Sequence, residues 1–350
     1  MSALGGDRLL ALLSITILVL FAAALLLAGL VFVLHFRNER RDALRARLDR
    51  EWEPALLEVL SGARSSDAFP IPVAHAQQLH LVNFLGRYAR RLRGAERRTV
   101  MALAEPLLPR VAARLNDRSA EVRARAVQTL ASLGLPGYAP QVIGALDDPS
   151  YLVAMRAAHG LARREHPEFA VEVLARLERF QLWNPRFVAA MLAGMGPAAA
   201  PGLRASLADP AEAPRARAVA AGALTTLRHL EAGPHAADAL AQTQDPDLQQ
   251  AALQLLGTVG RAAHVPVVSG FATHPVPFVR AAALEALVRI GGPAELAQVE
   301  AALEDESPWV ALTAGQALAG ARRLDLLDRA ATGVGQASVV AQEVLSESRP

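Results

Sequence analysis

From about residue 107 onward the chain repeats itself every 31 residues or so, and a period of that length leaves few folds open. Asn116-Asp117-Arg118-Ser119-Ala120-Glu121-Val122-Arg123 leads into Ala126, Leu130 and Gly134, and Asp147-Asp148-Pro149-Ser150 leads into Val153, Ala157 and Leu161. The pattern returns at Asn184-Pro185, Asp209-Pro210, Asp245-Pro246, His274-Pro275 and Asp305. The string Arg-Ala-Arg-Ala-Val stands at both 123–127 and 215–219. Each unit reads as helix, short turn, helix. A short polar side chain caps the second helix and Pro is tolerated in its first turn. Apolar residues follow at helical spacing, and the trailing Gly suits the left-handed conformation that ends a helix. One such pair cannot bury its apolar faces alone, whereas a stack can. The predicted fold is therefore all-α, a solenoid of about seven to eight units over 107–347.

These residues resemble the HEAT-repeat family in its short, PBS-lyase-like bacterial form, with the consensus D-x-S/D-P-x-V-R-x-x-A-A-x-A-L-x-x-L-G. The resemblance implies a ladder between units, built from the Asp and Arg of each turn. Asp117 with Arg123, and His274 with Arg280, occupy those positions, His replacing the acid in the second. Asp305 keeps the acid, but Ala311 stands where Arg is expected, which leaves the ladder open to question at that end. The layout also resembles a bacterial group with one N-terminal span, a Trp-containing stem and a final Trp-Val repeat. Trp52-Glu53-Pro54 and Ser307-Pro308-Trp309-Val310 are the matching residues. That likeness implies an envelope glycosyltransferase as the class of partner.

Ahead of the repeats, Leu9 to Phe36 runs without an Asp, Glu, Lys or Arg. As a helix it would reach ~42 Å, more than the ~30 Å hydrocarbon core of a bilayer. A cleaved signal has a shorter apolar core, and here Ala22-Ala23-Ala24 is followed by further apolar residues. A retained transmembrane helix over 9–36 is expected, behind a short tail at 1–8. Arg37, Arg40, Arg41, Arg45, Arg47 and Arg50 follow it, and only Arg8 precedes it. The positive-inside rule then places the repeats in the cytoplasm and the N-terminus outside, in a bacterial inner membrane. Residues 37–106 read as a juxtamembrane helical stem: a charged helix over 37–60, a loop over 61–73 and an amphipathic helix over 74–93. Arg87, Arg90, Arg91, Arg93, Arg97 and Arg98 give the stem a basic patch for lipid headgroups or an acidic partner. The simpler alternative is a solvated helix face.

Composition removes much chemistry. All 36 basic residues are Arg and Cys is absent, so lysine phosphate loops, Schiff bases, thiol catalysis and cysteine metal sites are excluded. Avoidance of Lys also fits a GC-rich bacterial genome. The net charge of +2 hides a gradient: residues 61–230 hold 22 Arg against 13 acids, and 231–350 hold 7 against 14. No His-x-x-x-His pair, nucleophile elbow or phosphate loop is present. No catalytic residue, metal or cofactor is expected, and no nucleic acid. The expected function is a membrane-anchored scaffold that binds another protein, itself membrane-associated, beside the lipid bilayer. A HEAT-like enzyme of the bilin lyase kind and a nucleic-acid-binding HEAT protein are the alternatives.

The repeat offset points to the surface a partner would touch. It aligns Arg125, Arg156 and Arg217 on the second helices, and beside them Gln128, His159, Gln254, Glu285 and Gln316. A third column at the helix starts holds Trp183, Phe278 and Trp309. Aromatic and Arg side chains are common binding anchors; their alternative role is packing between repeats.

Overall fold

A computed structural model describes the backbone of residues 3–71, 74–163, 166–179 and 182–348. Side chains of 3–20, 22–24, 28, 30, 31, 33, 34, 37, 38, 41 and 75 lie outside the description. The chain forms two compact units, Met1–Pro109 and Arg110–Pro350. Among the described residues there is no strand.

The first unit contains α1 (Ala3–Leu60), α2 (His75–Ala89) and α3 (Gly94–Ala104). The expected span and the charged stem helix are one continuous helix, because nothing between residues 36 and 60 breaks it before Leu60. Pro54 is accommodated inside it. Among the described residues no helix is long and apolar enough to cross a membrane; the expected span at 9–36 lies largely on side chains outside the description. Those that are described, Phe21, Leu25, Leu26, Leu27, Phe32 and Phe36, are all exposed. Farther along, Trp52, Leu56 and Val59 are buried with Leu81, Phe84 and Leu85 of α2 and Val100 and Leu103 of α3. The Trp52 ring meets Phe84 edge-on at 5.7 Å. The helix expected over 74–93 ends at Ala89, and the chain turns through Gly94 at φ +60°.

The second unit is a stack of helix pairs. The first helices are α4 (Leu108–Ala112), α6 (Ala139–Gly144), α8 (Ala170–Leu174), α10 (Ala200–Ala208), α12 (Gly233–Gln242), α14 (Val265–Ser269), α16 (Pro293–Ala301) and α18 (Leu324–Ala331). Each is followed by its second helix: α5 (Ala120–Leu133), α7 (Tyr151–Leu161), α9 (Pro185–Ala193), α11 (Pro214–Leu227), α13 (Pro246–Val259), α15 (Pro277–Ile290), α17 (Pro308–Gly320) and α19 (Gln336–Ser348). Helix α5 packs on α7, and α9, α11, α13, α15, α17 and α19 pack in succession. Leu130, Leu161, Leu224, Leu256, Leu287 and Leu318 recur at one buried position of these helices, which Met195 fills after α9. Small Ala residues beside them, such as Ala157, Ala252, Ala283 and Ala314, are fully buried and let neighbouring axes approach closely.

Two sequence expectations about the turns need correction. Three of the glycines after the second helices are not left-handed: Gly134, Gly260 and Gly291 have φ of −109°, −65° and −85°, whereas Gly196 after α9 stands at φ +87°, as expected. Gly260 and Gly291 are required by space instead, since a Cβ would stand 2.3 Å from the Leu256 carbonyl and 2.6 Å from that of Leu287. Nor does the turn acid always cap the helix directly. Asn184 and Asp245 do, accepting from the Arg186 and Leu248 N–H. Asp117, Asp148 and Asp305 accept one step earlier, from the N–H of Ser119, Ser150 and Ser307, and so brace the entry to the helix.

That placement leaves the Asp148 and Asp305 carboxylates able to serve a neighbouring repeat. Arg123 reaches into the next repeat and donates to both oxygens of Asp148 at 2.7 and 2.8 Å. Its remaining nitrogen donates to the Asp117 carbonyl at 2.9 Å. Arg280 repeats the device with Asp305 at 2.9 and 2.7 Å and with the His274 carbonyl at 2.8 Å. The rung therefore joins an Arg to the acid of the following unit, and His274 contributes only its backbone oxygen. The end held open to question is occupied after all: Asp305 needs no Arg at 311 because Arg280 supplies it. Beyond that point the pattern changes. Gln336 donates to the Asp305 carbonyl at 2.8 Å, and Glu304 accepts from the Ala337 N–H at 3.0 Å.

Candidate functional site

Second helices begin at N-caps Ser119, Ser150, Asn184, Ala213, Asp245, Val276 and Ser307. The step into Asn184 is longer than the others and the step out of it shorter, so a fixed offset misplaces residues around α9. Two of the expected binding residues, Arg217 and Trp183, are affected by position and burial.

Arg217 does not share a column with Arg125 and Arg156. It is buried, and its Nε donates to the Leu207 carbonyl at 3.0 Å. It stands where Arg123 and Arg280 stand, and Gln249 holds the same place in α13, donating to the Thr243 carbonyl at 3.1 Å. Arg217 is a packing residue of the solenoid. Trp183 precedes the N-cap of α9 instead of following it and is 2% exposed. Its ring meets Tyr151 at 6.1 Å, and its carbonyl accepts from Arg215 at 2.5 Å. Trp183 therefore belongs to the wall of the repeat and leaves the column with Phe278 and Trp309. Trp309, by contrast, is 49% exposed, and Phe278 is half-buried.

The remaining expectations keep their exposure. Arg125 and Arg156 are exposed, although Arg125 is engaged by Glu121 one turn earlier. His159, Gln254 and Gln316 are exposed, and Gln128 and Glu285 are half-buried. Two grooves open along this row. One, of about 660 Å³, runs across the starts of α9, α11 and α13 and is lined by Trp183, Asn184, Arg186, Arg215, Asp247 and Gln254 among others. The other, of about 510 Å³, lies between α15 and α17 and is lined by Glu285, Arg289, Thr313 and Gln316 among others.

The first groove contains residues that sequence registration passed over: Asn184, Arg186, Arg215, Asp247 and Gln250. Counting from each N-cap instead of by a fixed offset would have found several. The second residue after the cap is Leu152, Arg186, Arg215, Asp247, Phe278 or Trp309 in successive units. The groove thus offers guanidinium, carboxylate and amide groups over an apolar floor of Ala189, Ala218 and Val219. That mixture suits binding a polypeptide. Among the described residues no group of three or more His, Asp or Glu is placed to hold a metal ion.

In the first unit, Arg87 is engaged: its guanidinium lies 2.5 Å from Asp49 and 5.5 Å from the Phe84 ring centre. Asp49 also pairs with His80 at 2.9 Å. Tyr88 donates to Glu53 at 2.7 Å, and burial, then Glu53, push its phenol above the usual range. Arg90, Arg91, Arg93 and Arg98 are exposed, and Arg97 is half-buried.

Comparison with known proteins bears on the repeats. The profile for HEAT repeats matches residues 108–180 and 233–319, the segments that carry the Arg–Asp rungs. Those two segments are similar to HEAT repeats. No curated protein matches the sequence. Among solved structures, the CpcE–CpcF complex of phycocyanin lyase from Nostoc sp. is similar at 20% identity, covering 69% of this chain and 88% of that one with a TM-score of 0.33. Human deoxyhypusine hydroxylase in complex with glycerol is similar at 19% identity over 71% and 98% of the two chains, with a TM-score of 0.32. An engineered protein follows at 16% identity over 69% and 96%, with a TM-score of 0.26.

Proposed function

We propose that this HEAT-repeat chain is a scaffold, not an enzyme, which holds a partner protein along its second helices at a membrane surface. The observation that carries the reading is the row of large polar side chains on those helices, Gln254, Glu285 and Gln316 among Ala and Leu, which lines two grooves, with Trp309 half in solvent at the start of α17. Exposed side chains of that size at repeated positions do no packing. They offer a ladder of hydrogen-bonding and aromatic groups to something laid across them.

The anchor in this reading is the first part of α1. Its uncharged run from Leu9 to Phe36 and the exposure of Phe21, Leu26 and Phe32 call for an apolar environment. A bilayer is the one we propose, with the basic flank on the cytoplasmic side of a bacterial inner membrane. Tethering raises the effective concentration of a captured membrane partner without adding a contact. The resemblance carried by Trp52-Glu53-Pro54 and Ser307-Pro308-Trp309-Val310 favours an envelope glycosyltransferase system as that partner.

The test places a photo-crosslinking side chain at Gln254, at Gln316 and, as a control on a first helix, at Gln141, which is exposed in α6. Adducts to a membrane protein from Gln254 and Gln316 but not Gln141 are expected. Equal adducts from all three positions overturn the surface assignment.

A further inference from the structure

We propose that Arg90, Arg91, Arg93 and Arg98, the exposed arginines of the α2–α3 turn, dock an acidic protein segment and not an anionic membrane. This deepens the scaffold reading and rests on its placement of Leu9–Phe36 in a bilayer.

The starting observation is an imbalance. Residues 61–110 hold 8 Arg against 3 acids. Arg87 is engaged by Asp49 and the Phe84 ring. Arg90, Arg91, Arg93 and Arg98 are exposed and make no ion pair among the described residues. They sit on one short bend, where Gly94 turns the chain at φ +60°. Guanidiniums clustered around a single acid, Glu96, repel one another, and a partner's carboxylates relieve that while accepting paired N–H donors.

Geometry then decides between the two anionic partners. Asp49 meets His80 at 2.9 Å, Trp52 meets Phe84 at 5.7 Å and Glu53 meets Tyr88 at 2.7 Å. Positions rise together along both helices, so α2 runs beside α1 in the same direction. Its basic end comes level with Glu53 and points away from the apolar segment. From Phe36 to Glu53 the helix climbs ~25 Å. A tilt of 40° would still leave ~20 Å. Attraction to charged headgroups fades within a Debye length of ~8–10 Å. The arginines at headgroup level are those of α1 itself, from Arg37 to Arg45. The cluster stands clear of them, at the height where a membrane protein's cytoplasmic domain or tail would be met.

The experiment uses the full chain in nanodiscs of neutral phosphatidylcholine and a fluorescent ten-residue poly-glutamate peptide, read by anisotropy. A quadruple variant, Arg90→Glu, Arg91→Glu, Arg93→Glu and Arg98→Glu, is compared with the native chain, and a matching quadruple Arg→Gln variant guards against misfolding, with thermal melts as the check. Peptide binding that weakens by about tenfold or more in both variants, and with added salt in the native chain, is expected. Flotation with phosphatidylserine vesicles should be the same for all three. Unchanged peptide binding shows a merely solvated face and overturns the proposal. Loss of phosphatidylserine preference in place of peptide binding overturns it in favour of the membrane. Should the native chain fail to float with neutral vesicles, the anchor reading fails, and the comparison with the membrane falls with it. The peptide measurement still reports on the cluster by itself.

Discussion

At the scale of single residues, the rungs between repeats set both stability and its response to acid. Arg280 and Asp305 are 6% and 12% exposed. Stripping one partner from so buried a pair strands the other, typically at a cost of roughly 3–5 kcal/mol. The Arg123 hydrogen bonds hold the Asp148 carboxyl below the usual carboxylate range, against the opposing effect of burial. At Asp305 burial pushes upward, but Arg280 and the Ser307 N–H outweigh it and the carboxyl again ends low. A carboxyl lowered by folding stabilises the fold while it is ionised. That contribution is complete above the unfolded value near 4 and drains away as the pH falls through the folded value. Urea unfolding of the native chain, followed by circular dichroism, should therefore show stability falling below about pH 4. The Asp305→Asn variant should be less stable at neutral pH and flatter through that acid range. An equally steep acid limb in the variant would show that other groups control it.

Among the elements, the two tryptophans of the repeats illustrate what burial changes. Trp183, walled in by Tyr151 and held at its carbonyl by Arg215, should cost roughly 3–5 kcal/mol when changed to Ala. Trp309, half in solvent, should change stability little when replaced by Ser, yet weaken capture of the partner. Equal melting losses for the two would place Trp309 in the packing as well. The helices themselves were legible in the sequence, because the Leu and Ala period and the Pro that starts α9, α11, α13, α15 and α17 are local signals. The row Gln254, Glu285, Gln316 was legible for the same reason. What escaped is non-local. The partner of Arg123 lies in the following repeat, as a ladder between units requires, but that Asp148 is the acid it meets was not marked by the sequence. Arg217 and Trp183 were misplaced because the irregular steps around Asn184 shift the register, which only the caps reveal. α1 ends at Leu60, where the charged helix was expected to end, but α2 stops at Ala89, short of 93, since an apolar Leu92 does not prolong a helix.

At the scale of the molecule, the proposed function assigns attachment to the first unit and capture along the second helices to the second, and the two can be separated by experiment. Removing residues 2–36 should leave the helical circular dichroism per residue nearly intact and release the chain from the membrane pellet. Retention of the shortened chain in the pellet would move the attachment to the stem. The junction after α17 carries a different consequence. There Ala311 supplies no guanidinium, and Gln336, at the place of the next turn acid, donates backwards to the Asp305 carbonyl. Both halves of the clasp are replaced together, the giver and the taker. A gene duplication that copied the segment from Asp117 to Asp148 would insert a module bringing its own fastening. Copying the α18–α19 segment would bring none, so lineages lengthening this protein should have grown it from a unit that carries a rung.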